Sequence, residues 1–285
     1  MHYFISGKIL DKRLWMAIFN ALRFPKTLQY INGQLKHFYM KYLPKYATVA
    51  VLMMFLLPGF AISQNLPVKS AGSAILNGAW YNGEGSIDKS LIVADGYCML
   101  TTYDKTHKKF IHSFGGPLTL ANNKMSLKVE FNSGDKTQVG NTKEYDFSIS
   151  DNILTSSIGG AKLEWQRTDD GKSDLAGNWR ITQRKQGDKM GDMPLRARRT
   201  LKLLTGTRFQ WAAINIETGE FSGTGGGTYT FANGKYTEHI EFFSRDSTRV
   251  GASLSFDGRI ENGNWIHSGL SSSGDPIYEI WSRMK

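Results

Sequence analysis

The stretch GTYTFANGKYTEHIEFF, Gly227–Phe243, decides how this chain is read. Two runs of alternating character flank Asn233-Gly234, a pair that readily takes the positive φ of a two-residue hairpin. A second copy lies upstream, GPLTLANNKMSLKVEFN, Gly116–Asn132, turning at Asn122-Asn123. Outward from these hairpins the correspondence continues. Gly115-Gly116 answers Gly226-Gly227, and Phe110 answers Phe221. Asn77-Gly78-Ala79-Trp80 answers Ala176-Gly177-Asn178-Trp179, and Trp165-Gln166-Arg167 answers Trp281-Ser282-Arg283. Matches in one order at near-constant spacing mark an internal duplication.

Both copies read as strands throughout. KMSLKVEFN and KYTEHIEFF alternate with period two, and further turn signals stand at Asp95-Gly96, Thr205-Gly206, Asp151-Asn152 and Glu261-Asn262-Gly263. About nine short strands fit each unit, and neither unit shows a capped helical period. Sequential antiparallel strands joined by tight hairpins favour an all-β fold of two tandem antiparallel up-and-down barrels, because closure removes exposed edges. A sandwich or one continuous sheet is the alternative. The expected domains are 75–168 and 175–285, joined by the short polar link Thr168–Asp174, which keeps the units close.

The charge is unevenly placed. The 285 residues hold 35 Lys+Arg against 25 Asp+Glu, a formal net charge of +10. Residues 1–64 contribute eight Lys/Arg against one Asp, so only +3 belongs to the remainder. From Tyr46 the sequence runs ATVAVLMMFLLPGFAIS, as long as a secretory h-region and ended by Pro58-Gly59. Ala61-Ile62-Ser63 supplies the small residues of a cleavage site before Gln64. Residues 1–63 are thus a targeting segment, and Met40 is a well-placed alternative start. The expected location is secreted or periplasmic, with no membrane contact after cleavage; retention as a single-pass inner-membrane anchor is the alternative. The lone Cys98 excludes an internal disulfide framework.

The G-x-W opening, the GTYTFANGKYTEHIEFF hairpin and the Trp-x-Arg closure resemble the lipocalin-like secreted proteins of Bacteroidetes-type bacteria, many of them domains of unknown function; this chain departs from them in carrying two barrels in tandem and in lacking the disulfides common in secreted relatives. The resemblance covers both units. It implies that Gly78, Trp80, Gly177 and Trp179 lie on the first strand of each barrel, the tryptophan packing across the base. It also implies that Arg167 and Arg283 pack against those tryptophans, and that a barrel has one open end and a small-molecule pocket.

Duplication lets one unit act as control for the other. Met125, Leu127, Val129 and Phe131 share a strand face and are expected to point inward. Their counterparts are Tyr236, Glu238, Ile240 and Phe242, so Glu238 stands where a leucine does. A carboxylate there must be hydrated, paired or part of a pocket. Thr237, His239 and Glu241, against Ser126, Lys128 and Glu130, read as a solvated face. Ile153 and Thr155 are matched to Trp265 and His267, and Trp211 with Phe209 adds further rings. An eight-stranded interior is just wide enough to be filled or to hold one small ligand. The first barrel is therefore read as filled and the second as binding, through Trp211, Tyr236, Glu238, Trp265 and His267. Taken singly, Trp211 and Trp265 read equally as core aromatics.

The second unit also carries an insertion, Arg184–Arg199, with six basic residues against two acidic. At a barrel mouth it would attract anions. Arg196 and Arg198 are assigned to the site, and they, Arg199 or His267 are candidate donors to Glu238.

Catalytic and metal signatures are missing. His107, His112, His239 and His267 show no zinc-protease spacing, and no segment reads as a calcium loop. Gly223–Gly227 lacks the lysine and helix of a phosphate loop. The leading expectation is a binding protein for a small-molecule, glycan or lipid ligand, with no cofactor, metal or nucleic-acid partner. The alternatives are a non-catalytic structural module meeting an envelope protein, and a carbohydrate-active hydrolase or lyase.

Overall fold

The computed structural model describes residues 75–271 and 274–284, and the targeting segment read in 1–63 lies outside them. Nine strands make the first half: β1 Gly78–Glu84, β2 Ile87–Ala94, β3 Tyr97–Asp104, β4 Lys109–Ala121, β5 Lys124–Lys128, β6 Phe131–Asn132, β7 Thr142–Ser150, β8 Ile153–Ser156 and β9 Leu163–Asp169. Each pairs antiparallel with its sequence neighbour, except that the two-residue β6 continues the line of β5 along β4. Pairing of β9 back to β1 closes an eight-stranded up-and-down barrel.

The second half repeats this: β10 Gly177–Gln186, β11 Lys189–Asp192, β12 Arg198–Leu204, β13 Arg208–Asn215, β14 Phe221–Ala232, β15 Lys235–Phe243, β16 Ser253–Glu261, β17 Asn264–Leu270 and β18 Pro276–Arg283. Closure is β10 onto β18. The 184–199 insertion is not a loop. β10 runs on to Gln186, turns, and returns as β11, which pairs with β10 alone. The fold is all-β, two tandem antiparallel barrels.

The turns follow the residues. Asn122 and Asn123 hold φ of 49° and 59°, and Asn233 and Gly234 hold 51° and 73°, both central residues left-handed as a tight hairpin demands. The paired glycines have another cause. A Cβ on Gly116 would lie 1.9 Å from the Lys128 carbonyl oxygen, and one on Gly227 2.0 Å from that of His239. The long fourth strand of each barrel crosses its neighbour too closely for any side chain.

At each base the tryptophan indole donates to a carbonyl four residues back, Trp80 Nε1 to Leu76 O at 2.9 Å and Trp179 Nε1 to Leu175 O at 2.8 Å. Arg167 lies 3.9 Å over the Trp80 ring and Arg283 4.5 Å over Trp179. The positive φ of Gly78 and Gly177 lets the chain enter beside these arginines and the barrel link.

Both barrels belong to one compact unit, and they share a wall. Ile92, Ala94, Met99 and Phe131 of the first pack on Leu201, Leu203, Ala212 and Ile214 of the second. Strands β2, β3, β12 and β13 are thus buried on both faces, which accounts for their near-continuous apolar runs. Polar groups complete the wall. Gln210 donates to Ser113 and to Thr224, each at 2.9 Å, and accepts from Thr101 at 3.0 Å. The solvated-face reading of Glu130 and Glu241 fails here. Tyr97 donates to Glu130 at 3.0 Å and Arg199 lies 3.8 Å from it, while Tyr103 donates to Glu241 at 2.8 Å beside Arg208.

Candidate functional site

Register places the polar residues of the second barrel inside it. Trp179 opposes Lys202 on β12 as Trp80 opposes Leu91. Glu238 on β15 occupies the place of Leu127. Trp281 opposes Trp265, whereas Trp165 opposes Leu154. The match of Trp265 and His267 to Ile153 and Thr155 is therefore one residue out. Their counterparts are Leu154 and Ser156, both buried, and by the same register Glu279 stands for Leu163. Where the first barrel has Leu91, Leu127, Ser156 and Leu163, the second has Lys202, Glu238, His267 and Glu279.

These charges are paired. Lys202 Nζ donates to Glu238 Oε1 at 2.6 Å, both side chains less than a tenth exposed. The ammonium sits among the rings of Phe209, Tyr236, Trp265 and Trp281, 5.3–5.7 Å from their centroids. An aromatic cage closed by a carboxylate is a cation site, and here the protein's own lysine fills it. Beside it, Glu279 accepts from Trp281 Nε1 at 2.9 Å and from Arg184 Nε at 2.9 Å. Burial works to raise the Glu279 pKa, but His267 and Arg184 outweigh it and hold the carboxyl down at about 2. His267, its Nδ1 3.5 Å from Glu279, has its pKa lowered, chiefly by burial. His267 Nε2 and Trp265 Nε1 are shielded from solvent and make no hydrogen bond.

Tyr236, Glu238, Trp265 and His267 are thus brought together, but their company differs from the expectation. The donor to Glu238 is Lys202, not His267 or an arginine of the insertion. Arg196 and Arg198 are exposed and reach neither barrel interior. Arg199 turns to Glu130, and Arg184 is the residue of the insertion that enters the cluster.

Trp211 lies apart, at the barrel mouth. It meets Phe243 edge-on at 5.4 Å, and Arg245, bonded to the Ser222 carbonyl at 2.7 Å, stands 5.7 Å over the indole. These side chains occupy the mouth of the second barrel. In the first, the equivalent positions are Leu100, Asn132 and Gly134, and a cleft of about 440 Å³ opens there. Its floor is Leu100, Phe114 and Val129, Tyr145 stands at one side, and its rim carries His112, Asn132, Gln138 and Lys143. The barrel read as filled is the one with the open mouth.

The rim is ordered by its own hydrogen bonds. Asn132 Oδ1 accepts from the Gly134 and Asp135 amides, each at 3.0 Å, and from His112 Nε2 at 2.8 Å. An oxygen already accepting twice fixes the imidazole proton on Nε2. Asp135 accepts from the Thr137 amide and hydroxyl and from Gln138 Nε2, bonds that depress its pKa. Gln138 Oε1 is left shielded and without a partner.

A further concavity, about 700 Å³, lies on the outer wall of the second barrel, floored by Ile266 and Ile280 and bordered by Met193 and Pro194 of the insertion. Among the described residues no group of three His, Cys, Asp or Glu is placed to hold a metal ion. Nor is any helix among them long and apolar enough to cross a membrane. No protein-family model matches the sequence, and no curated protein matches it. The two eight-stranded up-and-down barrels are consistent with a lipocalin-like superfamily.

Proposed function

We propose that the protein is a secreted or periplasmic, non-catalytic binding protein that takes a small ligand in the mouth of its first barrel. The observation that carries this reading is the cleft of about 440 Å³ with an apolar floor and a polar rim, within the range of small-molecule sites. The duplicated barrel supplies the contrast, since bulky side chains occupy its corresponding mouth. Binding fits the cleft better than hydrolysis. Asp135 is the sole carboxylate among its lining residues, and its oxygens are taken by the turn it caps, whereas glycoside hydrolysis needs two carboxylates across one bond.

The decisive experiment is native mass spectrometry of protein purified from its own host, beside a variant carrying Asn132→Phe and Gly134→Arg, which copies the second mouth. A carried molecule present in the wild type and absent from the variant is the expected result. A wild type that carries nothing, and whose amide resonances respond to no member of a metabolite library, would refute the proposal.

A second reading places the ligand inside the second barrel. It is favoured by the unpartnered Trp265 Nε1 and His267 Nε2 beside the Lys202–Glu238 pair. A carried molecule retained by the mouth-filled variant and lost from His267→Phe would select this reading instead.

A further inference from the structure

The geometry points to a docking edge for another protein on β11. An acidic, extended segment of that partner adds there as one more strand, outside the second barrel and away from both mouths.

The edge is made by the insertion. Lys189–Asp192 pairs with β10 alone, with Gln186 opposite Lys189 across a two-residue turn and Arg184 opposite Gly191. Residues flanking such a turn form the hydrogen-bonded pair, and the alternation runs on to the Met193 amide, which donates to the Thr182 carbonyl at 2.7 Å. Met190 and Asp192, at the intervening positions, therefore turn their N–H and C=O groups away from β10. Among the described residues no hydrogen bond takes up these groups. The first barrel has no such edge, because β2 pairs along its length with β1 on one side and β3 on the other.

Apolar surface gathers at the same place. Of the seven large apolar side chains exposed among the described residues, Met190, Met193 and Leu195 fall within six positions. Methionine and arginine are enriched where proteins meet. The insertion has no aromatic residue of the kind that anchors a hairpin in a bilayer.

Charge selects the occupant. Arg184 and Arg199 are already engaged by Glu279 and Glu130. Between 185 and 198 four cations then stand against two carboxylates. Lys185 lies 3.9 Å from Asp188, and Asp192 accepts from Gln183 at 2.8 Å. Lys189, Arg196 and Arg198 make no ion pair among the described residues. Arg180 adds a further charge, bonded to the Met193 carbonyl at 2.9 Å. A second copy would set these cations against themselves across a two-fold axis, which is how a lysine on an edge keeps copies apart. Nor does the chain ahead of the barrels complement them, since residues 1–74 hold eight Lys/Arg and Lys69 against one Asp. An acidic strand from another protein supplies the missing charge and the missing backbone partners together.

The test titrates the full chain with fluorescein-labelled acetyl-(Glu-Val)4-amide, read by anisotropy and by amide-resolved NMR. This peptide is expected to bind about tenfold more tightly than acetyl-(Lys-Val)4-amide, a preference that vanishes in the variant carrying Lys189→Gln, Arg196→Gln and Arg198→Gln. Its fully N-methylated form keeps every side chain but donates no backbone hydrogen bond, and is expected to bind about tenfold more weakly. In the unmodified protein the complex is expected to slow exchange of the Met190 and Asp192 amides by about tenfold, a reading that needs no variant. Met190→Pro removes one outward N–H from an edge, where proline is tolerated, and is expected to lose binding that Met190→Thr keeps. Equal binding of the parent and N-methylated peptides, or binding without slowed exchange at these two amides, would overturn strand addition. Absence of acidic-peptide binding at about 1 mM would overturn the docking edge itself. Self-association of the protein alone, abolished by Met190→Pro, would overturn it in favour of a second copy. Flotation with phosphatidylglycerol vesicles, lost in the triple Gln variant while the peptide goes unbound, would overturn it in favour of a membrane surface.

Discussion

Phe110 stacks on Phe221, its own counterpart in the duplicate, with ring centroids 6.2 Å apart and planes within 10° of parallel. Ser113 and Thr224, another matched pair, are joined through the Gln210 amide. Residues that meet their own copies lie on a pseudo-two-fold axis, the signature of an isologous interface. The barrels are therefore arranged as a symmetric dimer would be, within one chain.

That axis has a measurable consequence. Phe110→Ala and Phe221→Ala, made singly and together, are expected to show a coupling of about 0.5–1.5 kcal/mol in urea unfolding. Phe110→Ala combined with a change at buried Trp265, on the far side of the second barrel's interior, is expected to be additive. Additivity of the two phenylalanines would show that the stack contributes nothing beyond area.

The Lys202–Glu238 pair gives a sharper cycle. Glu238→Leu alone strands a buried ammonium and Lys202→Leu strands a buried carboxylate, each costing about 3–5 kcal/mol. The double variant restores the Leu91 and Leu127 arrangement of the first barrel and is expected to recover most of that loss. Thermal or denaturant melts of the four proteins decide it, and a double variant as weak as the singles would contradict the pairing.

Acid sensitivity should be traceable to two residues. The folded pKa of Glu279 is depressed to about 2, so its stabilisation is present above the unfolded value near 4.5 and lost as the pH falls from there towards 2. Its size is on the order of 3 kcal/mol. His267, whose folded pKa is lowered mainly by burial, binds its proton more readily unfolded, so it too withdraws stability as the pH drops below about 6.5. Stability measured against pH for Glu279→Gln should flatten in the lower window, and for His267→Phe in the upper. Curves parallel to the wild type would show that neither titration is linked to folding.

Cys98 should be chemically silent. It is fully buried, and burial pushes its thiol up to about 12, so the thiolate that reacts is scarce at neutral pH. A disulfide reagent is expected to label it only at the rate of unfolding; rapid labelling of native protein would show that the interior of the first barrel, where Cys98 packs, opens.

The duplication, the alternation about Asn233-Gly234 and the parity of Glu238 were legible in the sequence, because each depends on local spacing. Lys202 was not. In Thr200–Leu204 the inward position carries the lysine, while Leu201 and Leu203 face the first barrel, so alternation there marks the wrong side as the interior. Glu279 escaped because the paired strands β17 and β18 run on past His267 and Glu279, which are 12 positions apart against 7 for Ser156 and Leu163, and so shift Glu279 out of line with Leu163. Comparing the positions two before Trp165 and Trp281 would have exposed it. The open mouth depends on side-chain bulk at Asn132 and Gly134 against Phe243 and Arg245, beyond the hairpin where the pattern is strongest.

Asp169 ends β9, the strand that closes the first barrel, yet its carboxylate serves the second. It accepts from the Thr205 hydroxyl, the Gly206 amide, and the amide and hydroxyl of Thr207, all at 2.8–3.0 Å, and so holds the β12–β13 turn. The second barrel thus borrows its turn clamp from the last strand of the first. The loan is returned, since Asp95 at the β2–β3 turn of the first barrel accepts from the Asn178 amide at 3.0 Å and from Arg283 Nη1 at 2.9 Å. For a chain that emerges amino end first, the leading barrel therefore waits for the trailing one before its own corner is complete.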